Sequence, residues 1–297
     1  MPEIERSPFK AYLNSLSSSS RPTMTHALNQ IAQFFGGVSV SAVTFVWHSI
    51  RYEDSQCLRD YLVQKYRSRT VNKHLAALRG VLKAAWRLEL MSTDAYHHAR
   101  DVKVVKINEP PAGRRLGLDE LRKLVLEADD KRDAALVAIL YAAGLRRFEV
   151  VRLRVSDYDR DTGCLTVRGK RNKVRQVTIN TSWRTPIVVW LDEYQAASGA
   201  APLFPSRFSG RKDKLRRLSA NGVTMILEAV RERVGVAPFT SHDMRRTLIT
   251  NLIASGADLV VVQRIAGHEH VNTTASYDRR GRDAEDSAIE RLKGLTD

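Results

Sequence analysis

The sequence predicts a mainly α-helical fold with a small antiparallel β-sheet. Apolar side chains recur at helical spacing between Tyr52 and Leu90, which predicts an all-helical first part that includes a helix over 70–90. Two short segments, Gly163–Arg168 and Val174–Ile179, have the β-branched content of strands and flank a turn-like, basic stretch. Together these patterns predict helices followed by a β-hairpin within a mixed α+β second part.

A segment without periodicity separates the two parts. Residues 106–115 contain the adjacent prolines Pro110 and Pro111, which interrupt regular structure and are typical of a linker. We therefore expect a helical domain over 1–105, the linker over 106–115 and a second domain over 116–297.

Helices ended by glycines organise the second domain. A helical run begins at Leu118 with acidic residues in its first turn. An apolar helix over 133–143 is ended by Gly144, and another over 258–266 is ended by Gly267. The residues that follow the two glycines are therefore placed just beyond a helix end.

The chain is strongly basic. Its 297 residues carry a net charge of +15, with a pI near 10.1. Basic residues outnumber acidic residues both before and after Lys106, so both domains are positive. This charge favours a polyanionic partner such as nucleic acid, although ribosomal and membrane-surface proteins share it.

Other bulk features point to a cytoplasmic protein without a membrane partner. No stretch approaches the roughly 20 apolar residues that cross a bilayer, and the N-terminal residues lack the pattern of a secretion signal. Cys57 and Cys164 are isolated, which signals neither a disulfide framework nor a zinc site. We expect both cysteines to be buried.

The first candidate functional motif is Gly-Leu-Arg-Arg-Phe-Glu at 144–149. Gly144 ends one helix, so Arg146 falls near the start of the next, where free amides and the helix dipole favour an anion. Arg146 is therefore a candidate phosphate ligand. A surface ion pair with Glu149, three residues on, is the alternative interpretation.

The second motif is Thr-Ser-His-Asp-Met-Arg at 240–245. Thr240 or Ser241 is expected to cap a helix, and His242 and Arg245 follow at the three-residue interval that places both on one helical face. The two side chains are therefore able to converge on one phosphate.

The third motif contains Tyr277, nine residues after His268. Asn272 or Thr273 is expected to cap a short helix that holds the tyrosine. A phenol with a pKa near 10 is a poor nucleophile at neutral pH, so surrounding positive charge and a nearby base have to activate it. Taken alone, the tyrosine is more typical of a half-buried core residue.

Taken together, six side chains occur in one order along the chain: Arg146, a hairpin lysine, His242, Arg245, His268 and Tyr277. In this set the chain resembles the tyrosine recombinase family, which includes phage integrases and Xer-type resolvases. The resemblance covers about residues 116–282 through its motifs. The helical first domain agrees with that family's core-binding domain in size, class and charge.

The resemblance implies a role for each side chain. Arg146 and Arg245 are expected to hold non-bridging oxygens of the scissile phosphate, where His268 donates a further hydrogen bond. His242 is expected to take the phenol proton. Tyr277 then becomes a 3′-phosphotyrosine.

The hairpin is implied to supply the general acid. Lys170 matches the family lysine that protonates the 5′-hydroxyl leaving group, and Lys173 is a second candidate, because Arg171 stands where that loop often has glycine. Glu149 is expected to orient Arg146 or its neighbours.

Further basic residues are expected to contact DNA. They lie on the helix over 70–90, at the hairpin tip and in the loop after Pro205, and a solvated surface is the alternative for the helix. The residues are Lys73, Arg79, Lys83, Arg171, Lys173, Arg211, Lys212, Lys214, Arg216 and Arg217.

The resemblance implies partners as well as chemistry. The expected substrate is double-stranded DNA with inverted-repeat core sites, in integration, excision or resolution of a mobile element or multimer through a Holliday junction. A homotetramer is expected in the synaptic complex, and a monomer or dimer when free. The tail over 283–292 is expected to dock on a neighbouring subunit or on its own domain. No metal or other cofactor is expected, and the location is cytoplasmic, in association with the nucleoid.

Three alternatives compete with this interpretation. A type IB topoisomerase uses similar chemistry on one duplex, and a sequence-specific DNA-binding protein could have lost catalysis. A zinc hydrolase would use His242, His268 and His270, but His-Glu-His lacks the four-residue interval that presents two ligands on one helical face.

Overall fold

The computed structural model describes residues 6–107, 113–169, 173–196, 198–207 and 216–278. The chain divides into two compact units, Met1–Pro111 and Ala112–Asp297, and the boundary falls within the proline-containing segment. Each unit encloses its own large apolar core. None of the helices in these ranges is long and apolar enough to cross a membrane.

The first unit is helical in its described part. Its central helix, α4, buries one apolar stripe that includes Leu75, Leu78 and Leu82, all fully shielded from solvent. The other helices of the unit pack around this stripe. The bounds are α1 Pro8–Asn14, α2 Arg21–Gly36, α3 Tyr52–Lys65, α4 Ser68–Arg87 and α5 Thr93–Arg100.

Two expectations for the first unit were wrong. Helix α4 ends at Arg87 rather than at Leu90, because Glu89 adopts a left-handed conformation with φ of 59° and the chain turns back on the helix end. Cys57 is exposed on α3, since Ser55 and Leu58 occupy the buried face of that helix. Cys164, which lies in the second unit, is only partly buried.

The second unit surrounds helix α7, whose residues Leu136–Leu140 are fully buried. Asp130 caps this helix, which therefore begins two residues before the predicted start at Asp133. The bounds are α6 Leu118–Leu126, α7 Lys131–Ala142, α8 Arg147–Val150, α9 Thr185–Tyr194, α10 Ala220–Val234, α11 Ser241–Ala254, α12 Leu259–Ala266 and α13 Val271–Ala275.

The predicted hairpin is present as a two-stranded antiparallel sheet of β1 Cys164–Arg168 and β2 Val174–Thr178. Leu165 pairs with Val177, and Val167 pairs with Arg175. Because paired residues share a face, Arg175 lies on the same face as the buried Leu165, Val167 and Val177. This register directs a basic side chain into the second unit.

Candidate active site

Helix ends deliver the predicted site residues. Gly144, with φ of 56°, follows α7 and brings the chain to Arg146, the N-cap of α8. Gly267, with φ of 63°, ends α12 immediately before His268. A side chain at either position would strain the backbone, because L residues rarely adopt such angles. The two turns therefore depend on glycine.

Arg146 and Glu149 form a capping box on α8. The Glu149 carboxylate accepts hydrogen bonds from the Arg146 backbone N–H at 3.0 Å and from its Nη1 at 2.9 Å. Arg146 Nη2 also donates to the Gly267 carbonyl at 3.3 Å. The Glu149 side chain is fully buried, whereas that of Arg146 is 33% exposed. The pair is therefore anchored inside the protein at one end and open to solvent at the other.

Arg175 is a site residue that our sequence reasoning missed. Its Nη1 and Nη2 donate to the two Glu149 oxygens at 3.0 and 2.9 Å, and its Nε donates to the Ile265 carbonyl at 3.0 Å. Burial raises the pKa of Glu149, but the bonds from Arg175 and Arg146 outweigh burial and hold that pKa below its usual value. Arg175 thus ties strand β2 to α8 and to the end of α12.

A signal for Arg175 was available in the sequence. In the alternating pattern of β2, Arg175 occupies an inward-facing position two residues before Val177. A charged residue at such a position needs a buried partner of opposite charge. The identity of that partner could not be read from spacing, because Glu149 lies 26 residues away.

Arg245 is almost completely buried, with 1% of its surface exposed. Arg245 lies in the second turn of α11. Its Nη1 donates to the Gly144 carbonyl and its Nη2 donates to the Ala266 carbonyl, both at 2.6 Å. Burial and the neighbouring Arg146 charge lower the pKa of Arg245 to about 9, which leaves the guanidinium cationic at neutral pH.

The phenol of Tyr277 lies beside His242, with 3.3 Å between Oη and the imidazole Nε2. The ring of Tyr277 packs against the apolar cluster of α11 and α12, and the guanidinium carbon of Arg246 is 5.7 Å from its centroid. Partial desolvation and the charges of Arg245 and Arg246 lower the pKa of His242. A neutral imidazole is thus available to accept the phenol proton.

Tyr277 is not inside a helix, so that expectation was wrong. The short helix α13 begins at Val271 with His270 as its N-cap, and neither Asn272 nor Thr273 caps it. Tyr277 lies in the turn that follows, where its N–H donates to the Thr274 carbonyl at 3.0 Å. The turn leaves the phenol half-buried rather than enclosed.

His268 is stacked beside Tyr277, with ring centroids 6.0 Å apart and an interplanar angle of 14°. Its Nδ1 is 2.9 Å from Thr274 Oγ1, and Gln263 Nε2 donates to its backbone carbonyl at 3.2 Å. Burial, followed by the charges of Arg245 and Arg146, lowers the pKa of His268 to about 4. Burial and the positive surroundings therefore keep His268 neutral at neutral pH.

A cavity of about 320 Å³ opens beside Arg146 and His268. Lys173 lines it and is 69% exposed, with Nζ 3.8 Å from Glu269 Oε1. Lys170 and Arg171 lie outside the described residues. Among the residues that the structure describes, no group of three histidine, cysteine or acidic side chains is placed to hold a metal ion.

The predicted DNA-contacting residues differ in their surroundings. Lys73 is half-buried and Lys83 is exposed on α4, whereas Arg79 donates to the carbonyls of Arg100 and Val102. Arg216 is exposed. Arg217 is exposed as well, but its Nη1 donates to the Arg152 carbonyl at 2.7 Å. The described ranges do not include Arg211, Lys212 and Lys214 or the tail over 283–292.

Comparison with known proteins identifies a family and several relatives of this chain. The profile of the phage integrase family matches residues 114–282. Tyrosine recombinase XerC of Roseiflexus castenholzii is 28% identical over 89% of this chain and 83% of its own length. Tyrosine recombinase XerD of Pseudomonas putida is 30% identical over 77% of this chain and 79% of its own length.

Solved structures share the fold. The Tn1549 transposon integrase in complex with transposon right end DNA superposes with a TM-score of 0.74 at 16% identity, over 96% of this chain and 99% of that one. XerH bound to palindromic difH substrate superposes with a TM-score of 0.66 at 18% identity, over 97% of this chain and 94% of that one. The range that the family profile matches, residues 114–282, contains all three motifs. The chain belongs to the phage integrase family and is a tyrosine recombinase, an enzyme of site-specific DNA recombination.

Proposed function

We propose that this recombinase cleaves and rejoins DNA through Tyr277, which forms a 3′-phosphotyrosine bond with one strand. The observation that carries the proposal is the 3.3 Å approach of Tyr277 Oη to His242 Nε2, in a site that already holds Arg146 and Arg245. A phenol with a neutral base beside it and cations around it meets the requirements for an oxygen nucleophile.

In the proposed cleavage step, one proton leaves the nucleophilic phenol and another is delivered to the leaving 5′ oxygen. His242 Nε2 takes the phenol proton while Tyr277 Oη bonds to phosphorus, and the bond from phosphorus to the 5′ oxygen breaks. The departing 5′ oxygen takes a proton from Lys170 or Lys173. One ester bond replaces another, so the step needs neither ATP nor water. A 5′-hydroxyl from a second duplex reverses it and joins the new strand.

Arg146, Arg245 and His268 are proposed to stabilise the charge that develops on the non-bridging oxygens. Fixed donors in a largely desolvated site act strongly on such charge, because they need no reorganisation as the reaction proceeds. The carbonyl contacts of Arg245 and the carboxylate contact of Arg146 supply this fixation. Glu149 and Arg175 then serve as positioning residues for Arg146.

The partners follow from the same proposal. We infer double-stranded DNA with inverted-repeat core sites, a homotetramer in the synapse, and a monomer or dimer when free, acting at the nucleoid in the cytoplasm. The charge of +15 supports a DNA partner. The palindromic substrate of XerH is a property of that neighbour and supports inverted repeats by analogy.

Covalent capture tests the proposal. A library of nicked duplexes with randomised sequence around the nick is incubated with the protein, and DNA that stays attached in a denaturing gel is sequenced. The captured sequence is then made as a single nicked substrate, in which loss of the short 5′-hydroxyl fragment prevents rejoining.

We expect wild-type protein to give a denaturant-resistant adduct on the peptide that contains Tyr277. Tyr277→Phe should bind the same DNA with unchanged affinity and give no adduct, because the nucleophilic oxygen is missing. Tyr194→Phe, in α9 and away from the site, is the matched control and should react as wild type. An adduct formed by Tyr277→Phe would refute the assignment.

A further inference from the structure

Thr274 is a buried hydroxyl residue at the centre of the site. It lies in α13 with 0% of its surface exposed, and its Oγ1 is 2.9 Å from His268 Nδ1. Within the described residues, that ring nitrogen is the hydrogen-bond partner that the structure provides for the hydroxyl. The backbone carbonyl of the same threonine accepts the N–H of Tyr277 at 3.0 Å. Thr274 thus contacts both a candidate phosphate donor and the candidate nucleophile.

Proton placement on His268 depends on this contact. A neutral imidazole carries one N–H, on either Nδ1 or Nε2, and a threonine hydroxyl is able to donate or accept. If Nδ1–H donated to Oγ1, the hydroxyl hydrogen of Thr274 would be buried without an acceptor among the described residues, which is costly. If the hydroxyl donates to Nδ1 instead, the ring proton is on Nε2. The second arrangement gives the buried hydroxyl hydrogen of Thr274 an acceptor.

We propose that Thr274 is a positioning residue that holds neutral His268 as its Nε2–H tautomer. The tautomer assignment stands on the Thr274 contact, whereas its use, donation of Nε2–H to the scissile phosphate, rests on the proposed function. The backbone of His268 is already fixed by Gly267 and Gln263, so Thr274 adds the choice of which ring nitrogen is the donor.

The positive surroundings make this choice necessary. A doubly protonated histidine donates from both nitrogens and needs no tautomer selection. Burial and the charges of Arg245 and Arg146 disfavour that form of His268, whose pKa is lowered to about 4. A neutral ring with its proton on Nδ1 would present a lone pair to a phosphate oxygen and would repel it.

Nitrogen NMR of the DNA-free protein tests the assignment independently of any reaction. The protein is labelled with ¹⁵N-histidine, and the His268 signals are identified by their loss in His268→Asn. Wild-type protein at neutral pH should show a protonated Nε2 and an unprotonated Nδ1. Thr274→Val, which removes the hydroxyl at nearly constant shape, should move the ring toward the Nδ1–H form or a mixture of both. Thr274→Ser should restore the wild-type spectrum.

Two results would overturn the tautomer assignment. One is a wild-type His268 that is mainly Nδ1–H, and the other is an unchanged tautomer in Thr274→Val. The melting temperature of each variant is measured alongside. If the valine protein fails to fold, the wild-type spectrum still decides the assignment, because a mainly Nδ1–H ring overturns it. Because no DNA is present, a correct spectrum combined with an absence of covalent capture would contradict the proposed function rather than the tautomer.

Covalent capture tests the use of the tautomer. Thr274→Val should slow capture on the order of tenfold to a hundredfold, as for residues that orient a metal-ligating histidine through a hydrogen bond, with DNA affinity unchanged. Thr274→Ser should recover the rate. The double variant Thr274→Val with His268→Ala should be no slower than His268→Ala alone, because both changes remove the same donor, the Nε2–H of His268. An unaltered rate in Thr274→Val, or additive losses in the double variant, would contradict this use.

Discussion

Arg146 and Arg245 flank the candidate phosphate site, but the protein holds the two guanidiniums differently. Arg146 and Arg175 share the buried carboxylate of Glu149. The hydrogen-bond partners of Arg245 among the described residues are two backbone carbonyls, of Gly144 and Ala266. The charge of Arg146 is therefore partly compensated before DNA binds. Arg245 has no carboxylate among its hydrogen-bond partners in the described residues, and Glu149 acts on it only as a nearby charge that raises its pKa against the effects of burial and Arg146.

Helix ends explain how a cation is tolerated at the Arg245 position. Ala266 is the last residue of α12, and Gly144 lies two residues beyond the end of α7. The C-terminal ends of helices carry unsatisfied carbonyls and a partial negative charge, which favour a cation. Two such ends meet one guanidinium here. The carbonyls orient Arg245 and leave its formal charge unchanged.

The largest effect is expected from removing the charge of the Glu149 carboxylate that Arg146 and Arg175 share. Glu149→Gln leaves Arg175 largely buried without its counter-charge, so the free energy of unfolding should fall by about 3 kcal/mol or more. Denaturant unfolding of the purified protein measures it. Asp192→Asn is the matched control, because Asp192 pairs with Arg160 on the surface and should cost less than about 1 kcal/mol. Equal losses of unfolding free energy in the two variants would show that the buried ion pair of Glu149 stabilises the fold no more than the exposed pair of Asp192.

Removal of Arg245, which two backbone carbonyls hold in place, should lower the reaction rate. Arg245→Ala removes a fixed donor and its positive charge, so the barrier to covalent capture should rise by about 3 kcal/mol, by analogy with the loss of one oxyanion donor. Single-turnover capture on the nicked substrate measures this change. Arg264→Ala on the exposed side of α12 removes the same charge away from the site and should react nearly as wild type. A wild-type rate in Arg245→Ala would contradict the phosphate role.

The smallest effect is a pH dependence that arises from the burial of His268 and, after it, from the same charges. The pKa of His268 is about 4 in the folded protein against 6.5 ordinarily, so between these values the unfolded chain binds the extra proton. The stability contribution is present above the ordinary pKa and is lost as pH falls below it. Since the ring is partly exposed, we expect a loss on the order of 1 kcal/mol between about pH 7 and about pH 5.

Replacing the histidine isolates this contribution. His268→Asn should lose less stability over the same pH interval, because its side chain does not titrate. Chemical unfolding at several pH values gives the two slopes. Parallel curves for wild type and His268→Asn would mean that burial and the arginine charges do not act on this ring as strongly as the structure indicates.

Local physical rules explain which parts of the site were predictable. Glycines after apolar helices predicted the two turns that deliver Arg146 and His268, and both glycines have positive φ. The helix caps were less predictable. His270 occupies the N-cap of α13 without a side-chain bond, although Asn272 and Thr273 are better capping residues, because the turn after Gly267 sets where the helix begins.

Contacts between distant segments were outside the reach of sequence patterns. β-Branched content indicated that β2 is a strand, but the partner of Arg175 depends on how the hairpin packs against α8. The sequence patterns did not single out Thr274, because its bond to His268 depends on how α13 turns after α12. Pairing of this kind depends on the packing of whole elements, which spacing along the chain does not encode.

The order of motifs, the residue types and the positive charge were determined by the sequence itself, because helix termination by glycine, capping and charge act over a few residues. Tertiary structure alone decided that the Arg245 guanidinium bridges carbonyls 101 and 21 residues away, and that one carboxylate holds two arginines. These contacts require long-range approach of buried polar groups. Such groups adopt the partners that packing places within hydrogen-bond distance, because a buried polar group without a partner is costly.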